Sequence, residues 1–134
     1  MTTSTTTAPL ASIPFAQLPA MGSDLEGGTF AGITTQADGT HIAVVLLSAW
    51  SEGLTWKKAI TWATKQGGVL PTRPIAALLY ANLKPKLQPR WHWTNEEDDA
   101  SCAWDCGFDR GTQLSGLKSY EGCAVAVRLI HLTA

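Results

Sequence analysis

The chain has 134 residues, of which 10 are Lys or Arg and 11 are Asp or Glu, giving a formal net charge of −1 at pH 7. This length suits a single domain with its own hydrophobic core, and the balanced charge disfavours a nucleic-acid-binding protein, which needs a basic surface to neutralise phosphates. The longest apolar run, residues 42–47, is far shorter than the roughly 20 residues of a membrane-spanning helix.

Residues 1–23 are predicted to form an extended arm that precedes a domain of residues 24–134. The arm is rich in Thr, Ala, Ser and regularly spaced Pro, a composition that does not favour a packed core. Two interpretations are open: a disordered tail, or an arm that docks on a neighbouring subunit and becomes ordered there. The second interpretation depends on the apolar side chains of Leu10, Ile13, Phe15 and Leu18.

Two strands joined by an Asp-Gly turn are predicted to open the domain. The strands are residues 29–34 and 40–47, and the turn is residues 36–39. The second strand is continuously apolar in its latter half, so both of its faces should be covered. We therefore expect it in the middle of a sheet.

An amphipathic helix is predicted for residues 55–66, because apolar residues recur there at helical spacing while the lysines fall mostly elsewhere. Thr55 is a suitable N-cap, and two consecutive glycines supply the left-handed conformation that commonly ends a helix. The residues with structural roles in this segment are Trp56, Trp62, Gly67 and Gly68.

A second helix is predicted after the tight corner Pro71-Thr72-Arg73. Thr72 can cap it, Pro74 fits the first turn, where its missing N–H is no loss, and Pro85 ends it. Two short helices cannot bury their apolar stripes against each other alone. We therefore expect both to pack on a sheet.

Three more strands are predicted, at residues 91–94, 103–108 and 123–132. Alternation places Trp91 and Trp93 on one face of the first of them. The last strand is expected to return to the first hairpin and cover a sheet edge. The intervening segments, residues 95–99 and 109–122, are predicted to be an acidic loop and a polar, Gly-rich loop.

The order of these motifs resembles the Lcl C-terminal-like domain family of bacterial and phage proteins. The shared features are a W-x-x-A-x-x-W-A helix, a W-x-W strand, an Ala-Trp strand and a closing Ala-Val-Arg strand, over about residues 28–130. The most specific part is the turn Gly-Gly-x-Leu-Pro-Thr-Arg, which ends at Arg73. The resemblance implies an α+β, C-type-lectin-like fold: two helices on a small, mixed or antiparallel twisted sheet with long loops. It also implies a ligand surface on the loops between the tryptophan strand and the closing strand.

The candidate binding residues come from the tryptophan strands and the polar segments beside them. Aromatic side chains contribute large contact areas to recognition surfaces, although alternating tryptophans are more often core residues. The predicted binding set is Trp91, Trp93, Asn95, Glu96, Asp98, Asp99, Trp104, Asp109, Arg110 and Tyr120.

Two arginines are assigned structural roles. Arg73 is expected to pair with Glu96 or to cap helix carbonyls. Arg128 lies in a strand that is otherwise small or apolar, and we expect it to meet a buried carboxylate, because an unpaired buried charge is too costly.

No cofactor is expected, with calcium as the alternative. The run of residues 95–99 offers several oxygen ligands, but it lacks the separated carboxylates and the Pro-centred motif of lectin-like calcium sites, so a solvated acidic loop is the favoured interpretation. The spacing of Cys102, Cys106 and Cys123 lacks the paired pattern of structural zinc, which favours reduced thiols. A cysteine nucleophile beside His92 has no activating context, so we predict that the protein is not an enzyme.

The absence of catalytic motifs predicts a non-enzymatic binding module, and the family resemblance implies that it is a binding or virion structural module of a phage or prophage. Its expected partners are a protein or further copies of itself through the arm, and a glycan or cell-surface ligand on the loops, with no nucleic acid and no membrane. The N-terminus lacks the features of a secretory signal, which predicts a location in the virion or host cytoplasm. The alternatives are an intracellular phage effector that inhibits a host protein and, less favoured, a cysteine-dependent enzyme.

Overall fold

The computed structural model describes residues 10–134. Residues 1–9 of the predicted arm, including Pro9, lie outside the described residues. The described chain is α+β, with two helices and a large mixed sheet of eight strands. The elements are β1 (Ser12–Pro14), β2 (Asp24–Leu25), β3 (Gly28–Thr35), β4 (His41–Leu54), α1 (Trp56–Lys65), α2 (Arg73–Leu83), β5 (Trp91–Glu97), β6 (Cys102–Gly107), β7 (Gln113–Leu117) and β8 (Gly122–Thr133).

The sheet has the strand order β2-β3-β4-β8-β5-β6-β7. The long strands β4 and β8 form its antiparallel centre, which confirms that the closing strand returns to the first hairpin. Every residue from Ile42 to Leu47 is buried, as expected for a strand with both faces covered. Strand β5 joins the edge of β8 in parallel through His92 and Cys123.

The two helices pack on opposite faces of this sheet. Ala59 and Ala63 of α1 lie in one core cluster with Val45 of β4, whereas Leu79 of α2 lies in a second cluster with Val44. Because successive residues of a strand point to opposite faces, neighbouring positions of β4 contribute to different clusters. The continuous apolar run of β4 therefore supports both layers of the core. Within residues 10–134, no helix is long and apolar enough to cross a membrane.

The predicted helix ends are confirmed. The Oγ1 atoms of Thr55 and Thr72 accept hydrogen bonds from backbone N–H groups three residues later, at 3.4 and 3.3 Å. Gly67 ends α1 with φ of +83°. At Gly68 an added Cβ would lie 2.5 Å from the carbonyl oxygen of Val127, because the chain crosses β8 there. Gly67 thus supplies the left-handed conformation that ends the helix, and Gly68 allows the backbone to lie close to β8.

Three segments differ from the sequence prediction. Strand β4 continues to Leu54, with register irregularities where it passes β8. The acidic stretch begins inside β5, so Asn95, Glu96 and Glu97 are strand residues rather than loop residues. Part of the predicted polar loop forms β7, whose register with β6 is continuous although its composition is not typical of a strand.

The described part of the arm packs on its own domain. Strand β1 pairs in parallel with the end of β8, and Ile13 is buried against the core. The backbone N–H of His131 also donates to the carbonyl oxygen of Ala11. These residues therefore continue the sheet of the same chain, an arrangement that neither interpretation of the arm anticipated.

Candidate binding site

The three candidate tryptophans lie on opposite faces of the sheet. Trp93 is opposite Asp105 in the antiparallel register of β5 and β6, so Trp104, one residue earlier, points to the other face. Trp93 belongs to the core cluster of α1, and Trp104 lies against the start of α2. The three side chains therefore do not form one surface.

Trp93 and Trp91 pack mainly within the protein. Trp93 is 0% exposed, and its indole N–H donates to the carbonyl oxygen of Leu54 at 2.9 Å, which corrects its assignment to a binding surface. Trp91 is half-buried, stands edge-on to Trp93 with 5.0 Å between ring centroids, and lies over Gly122. A buried tryptophan needs a partner for its N–H, and the extended end of β4 provides one.

Trp104 forms the base of a different site. The guanidinium carbon of Arg73 lies 3.7 Å from the centre of the Trp104 ring, so the two planar groups are stacked, and both side chains are half-buried. Arg73 is the first residue of α2, directly after the Thr72 cap. The corner that starts the helix therefore fixes the position of the arginine over the ring.

Gln113 of β7 holds the arginine from the side. Its Oε1 accepts from Nε of Arg73 at 2.9 Å, and its Nε2 donates to the carbonyl oxygen of Arg73 at 2.8 Å. Among residues 10–134, the two terminal Nη atoms of Arg73 form neither a hydrogen bond nor an ion pair. The two Nη groups of Arg73 therefore remain as a planar pair of N–H donors, which is the geometry that recognises a carboxylate or phosphate.

Glu96 does not pair with the Arg73 side chain as predicted. Its Oε2 accepts instead from the backbone N–H of Arg73 at 2.6 Å, so the carboxylate stabilises the start of α2. Its Oε1 receives no hydrogen bond within the described chain. The backbone N–H and the Nε of Arg73 thus make structural hydrogen bonds, while its Nη atoms remain available to a ligand.

Two concavities meet at this site and share Pro74 and Glu96. One, of about 470 Å³, is lined by Arg73, Pro74, Ala77, Glu96, Gly111 and Gln113. The other, of about 280 Å³, lies between the β3–β4 turn and the start of α2. A larger apolar concavity of about 590 Å³ lies near Phe15 and Leu132, but His41 is its only titratable side chain. We regard the Arg73 site as the candidate because it combines a cation, an acceptor and an aromatic ring.

The acidic residues after Glu96 do not converge. Asp98 accepts from the Ser115 hydroxyl at 2.7 Å, and Asp99 accepts from two backbone N–H groups of its own turn. Glu97 forms an ion pair with Lys118. In the part of the chain that the structure describes, no group of three or more His, Cys, Asp or Glu side chains is placed to hold a metal ion.

The other predicted binding residues lie around the site or away from it. Asn95 is exposed and its backbone N–H donates to the carbonyl oxygen of Pro71 at 2.9 Å, but it does not line the concavity. Asp109 and Arg110 are exposed in the β6–β7 turn, next to Gly111. Tyr120 is exposed in the turn after the opposite end of β7 and does not line the concavity.

Arg128 has carbonyl partners rather than the expected carboxylate. Its Nη1 donates to the carbonyl oxygen of Glu26 at 2.8 Å, and its Nη2 lies 3.5 Å from that of Gly67. Carbonyl oxygens at the end of a helix carry partial negative charge, which partly offsets the cation. Arg128 therefore ties the β2–β3 turn to the end of α1.

The buried titratable groups are poorly suited to nucleophilic catalysis. Burial raises the pKa of the Cys106 and Cys123 thiols, which keeps them protonated. Burial lowers the pKa of His92 to about 4, and its Nδ1 donates to the carbonyl oxygen of Arg90 at 2.8 Å. Burial also raises the pKa of Asp105 to about 6.

Of the residues that line the concavity, only Glu96 was in the predicted binding set. Arg73 was assigned a structural role, and the sequence prediction missed Pro74, Ala77, Gly111 and Gln113, which lie in segments assigned to a helix or a loop. Gly111, with φ of +78°, marks the turn that starts β7, and it is the available sequence signal for this strand. The stack of Arg73 on Trp104 depends on contacts across the fold and has no local signature.

Comparison with known proteins finds no family model that matches the chain and no curated protein that matches it.

Proposed function

We propose that this protein is a non-enzymatic binding module that recognises a carboxylate-bearing ligand at the Arg73 site. The observation that carries the proposal is the arginine itself. It is stacked on Trp104 and bonded through Nε to Gln113, and its Nη edge has no partner in the described chain. A guanidinium held in this way loses little conformational entropy when it binds a carboxylate.

The neighbouring groups favour a ligand that also carries hydroxyls, such as a sugar acid. The free Oε1 of Glu96 can accept a hydrogen bond from a hydroxyl group, and the site is an open, shallow depression of about 470 Å³ on which one sugar ring can lie. The exposed side chains of Pro74 and Ala77, which line the concavity, offer a small apolar surface. A carboxylate on a partner protein has the same anionic chemistry but lacks the ring of hydroxyls.

The non-enzymatic part of the proposal is supported by the state of two of the three thiols and of the His92 imidazole. Cys106 and Cys123 are buried, and the pKa of each thiol is raised. His92 is fully buried, with one nitrogen committed to a backbone carbonyl. A nucleophile needs an activated, accessible thiolate, which burial opposes.

We further propose that the fold is C-type-lectin-like and that the module belongs to a phage or prophage. The support is the family resemblance, together with two helices on a mixed sheet. The candidate site is formed by the start of α2 together with residues of β5, β6 and β7, so it only partly coincides with the loop surface that the resemblance implies. Fold alone does not define function, so the phage or prophage origin is tested separately from the ligand.

If the module is a virion component, it co-sediments with purified particles. Recovery only in the soluble fraction of infected cells would contradict a role in the virion.

An NMR titration tests the ligand proposal. Glucuronate, its neutral counterpart glucose, and a short Glu-containing peptide are added separately while the Arg73 Nε–H and the Trp104 indole N–H are followed. We expect glucuronate to shift both resonances saturably and glucose to leave them unchanged. A response to the peptide but not to glucuronate would assign the site to a protein partner.

The matched variants are Arg73→Lys and Arg110→Lys. Lysine keeps the charge but lacks the planar fork, so Arg73→Lys should weaken glucuronate binding roughly tenfold. Arg110 is exposed in the adjacent turn, and its replacement should leave the affinity unchanged. Equal affinities for both variants would show that general surface charge, and not the Arg73 site, attracts the ligand.

A further inference from the structure

Strand β7 ends the sheet and leaves one edge open. The N–H of Lys118 donates to the carbonyl oxygen of Ser101 at 2.9 Å, and that of Gly107 donates to the carbonyl oxygen of Thr112 at 2.8 Å. Both bonds belong to one antiparallel register, in which hydrogen-bonded positions alternate with outward-facing ones. The even-numbered residues 112–116 and the N–H of Lys118 therefore point their backbone groups at β6, whereas the carbonyl oxygen of Lys118 accepts from the N–H of Trp56 at 3.1 Å. The odd-numbered residues 113–117 point their backbone groups away from β6.

The outward-facing groups are largely unpaired. Within the described sheet β7 pairs with β6 alone, and the backbone N–H and C=O of Gln113 and Ser115, and the N–H of Leu117, make no turn or loop hydrogen bond to any residue in the range 10–134. The carbonyl of Leu117 is used by the N–H of Tyr120. Such a row of donors and acceptors at strand spacing is complementary to another extended backbone.

The edge also lacks the usual protection against pairing. Proteins commonly guard an edge strand with charged residues, proline or a bulge. Strand β7 has no charged residue and no proline, and its register with β6 is regular. It instead presents Leu114, 60% exposed, and Leu117, 41% exposed.

We propose that β7 pairs antiparallel with β7 of a second copy of this chain, around a two-fold axis at Ser115. Outward-facing residues meet as Ser115 with Ser115 of the copy and Gln113 with Leu117, which allows roughly four backbone hydrogen bonds. On the opposite face Leu114 meets Gly116, so the leucine packs over a position without a side chain. No residue of β7 itself is charged, and the carboxylate beside the axis is that of Asp98, which accepts from the Ser115 hydroxyl at 2.7 Å.

The symmetry has a consequence for the Arg73 site. A two-fold axis between antiparallel strands is perpendicular to the sheet, so both copies of the site lie on the same side. Trp104 pairs with Ser115 and is therefore level with the axis. With neighbouring strands about 4.8 Å apart, the two Trp104 positions are three spacings, or about 14 Å, from each other. The dimer thus carries two Arg73 sites on the same face. The binding role of these sites rests on the proposed function, whereas the pairing of β7 is independent of it.

Analytical ultracentrifugation of the full chain from low micromolar to millimolar concentration tests the proposal. We expect a reversible monomer–dimer equilibrium. Ser115→Pro removes an outward N–H without removing a bond to β6, and it should weaken the dimer roughly 30-fold or more. Ser115→Ala keeps the N–H and loses the hydroxyl bond to Asp98, so it should dimerise like the wild type.

A second pair of variants uses side chains. Leu114→Lys places a charge opposite Gly116 of the copy and should also dissociate the dimer, whereas Ile60→Lys changes an exposed apolar residue on α1 and should not. Thermal melts verify that each variant is folded. A wild type that stays monomeric, a dimer that survives both Ser115→Pro and Leu114→Lys, or a dimer equally weakened by Ile60→Lys overturns the proposal. None of these outcomes depends on glucuronate binding.

Discussion

Replacing Asp105 with Asn should stabilise the protein near neutral pH and leave its stability at acidic pH nearly unchanged. Asp105 is 8% exposed, and burial raises the pKa of its carboxyl from 3.8 to about 6. The folded state therefore binds a proton more tightly than the unfolded state. The contribution of Asp105 to the free energy of unfolding is fully present below pH 3.8 and is lost as the pH rises through 6.

The magnitude follows from the shift. About 2 pKa units at 1.36 kcal/mol each give an upper value of about 3 kcal/mol for the cost of ionised Asp105 above pH 6. His92 acts in the opposite direction, because burial lowers its pKa from 6.5 to about 4. Its contribution is present above pH 6.5 and is lost as the pH falls through 4, again by about 3 kcal/mol. In the wild type the two slopes oppose each other between pH 4 and 6.

Urea unfolding followed by tryptophan fluorescence, at a series of pH values from 3.5 to 8, measures these slopes. Asp105→Asn should exceed the wild type by up to about 3 kcal/mol at pH 7, with the difference vanishing near pH 3.5. The variant should also lose stability steeply as the pH falls from 6.5 to 4, because His92 is then unopposed. The control Asp109→Asn removes an exposed carboxyl and should follow the wild-type profile. Parallel profiles for wild type and Asp105→Asn would refute the assignment of a buried, ionisable carboxyl.

Three further substitutions test the framework, each by the free energy of unfolding in urea. Thr72→Ala removes the N-cap of α2 and should cost about 1 kcal/mol; no loss would mean that the cap is replaced by solvent. Gly53→Ala should cost about 1–2 kcal/mol, because the added Cβ meets open space and only the φ of +71° is unfavourable for alanine. Gly68→Ala should cost clearly more, because its Cβ would collide with the carbonyl oxygen of Val127. Trp93→Phe should lower the free energy of unfolding by about 1–3 kcal/mol, because the carbonyl oxygen of Leu54 loses its hydrogen bond, and it should leave glucuronate binding unchanged. Weaker glucuronate binding without a change in stability would show that Trp93 is part of the binding site.

The elements with strong local signals were predictable from the sequence. Threonine caps, the glycine pair and helical periodicity predicted both helices, and the continuous apolar run predicted the central position of β4. Strand β7 was missed because Gln113, Ser115 and Gly116 have weak strand propensity and are ordered by their register with β6.

The candidate site was only partly predictable. Its tryptophan and its acid were both in the predicted set, but the sequence did not show that Trp93 and Trp104 lie on different faces. That depends on which residues of β5 and β6 are opposite each other, and a shift of one residue would reverse it. The partners of Arg73 were likewise wrong in detail, because Gln113 is 40 residues away along the chain.

The dissociation constant of glucuronate for the wild type and for Gln113→Leu tests most directly whether a pre-positioned arginine makes the site. Leucine leaves the charge of Arg73 intact and removes the two hydrogen bonds that hold it. We predict roughly tenfold weaker binding, still reported by the Trp104 indole resonance. An unchanged dissociation constant, or ligand-induced shifts centred on Phe15 and Leu132 instead, would contradict the account.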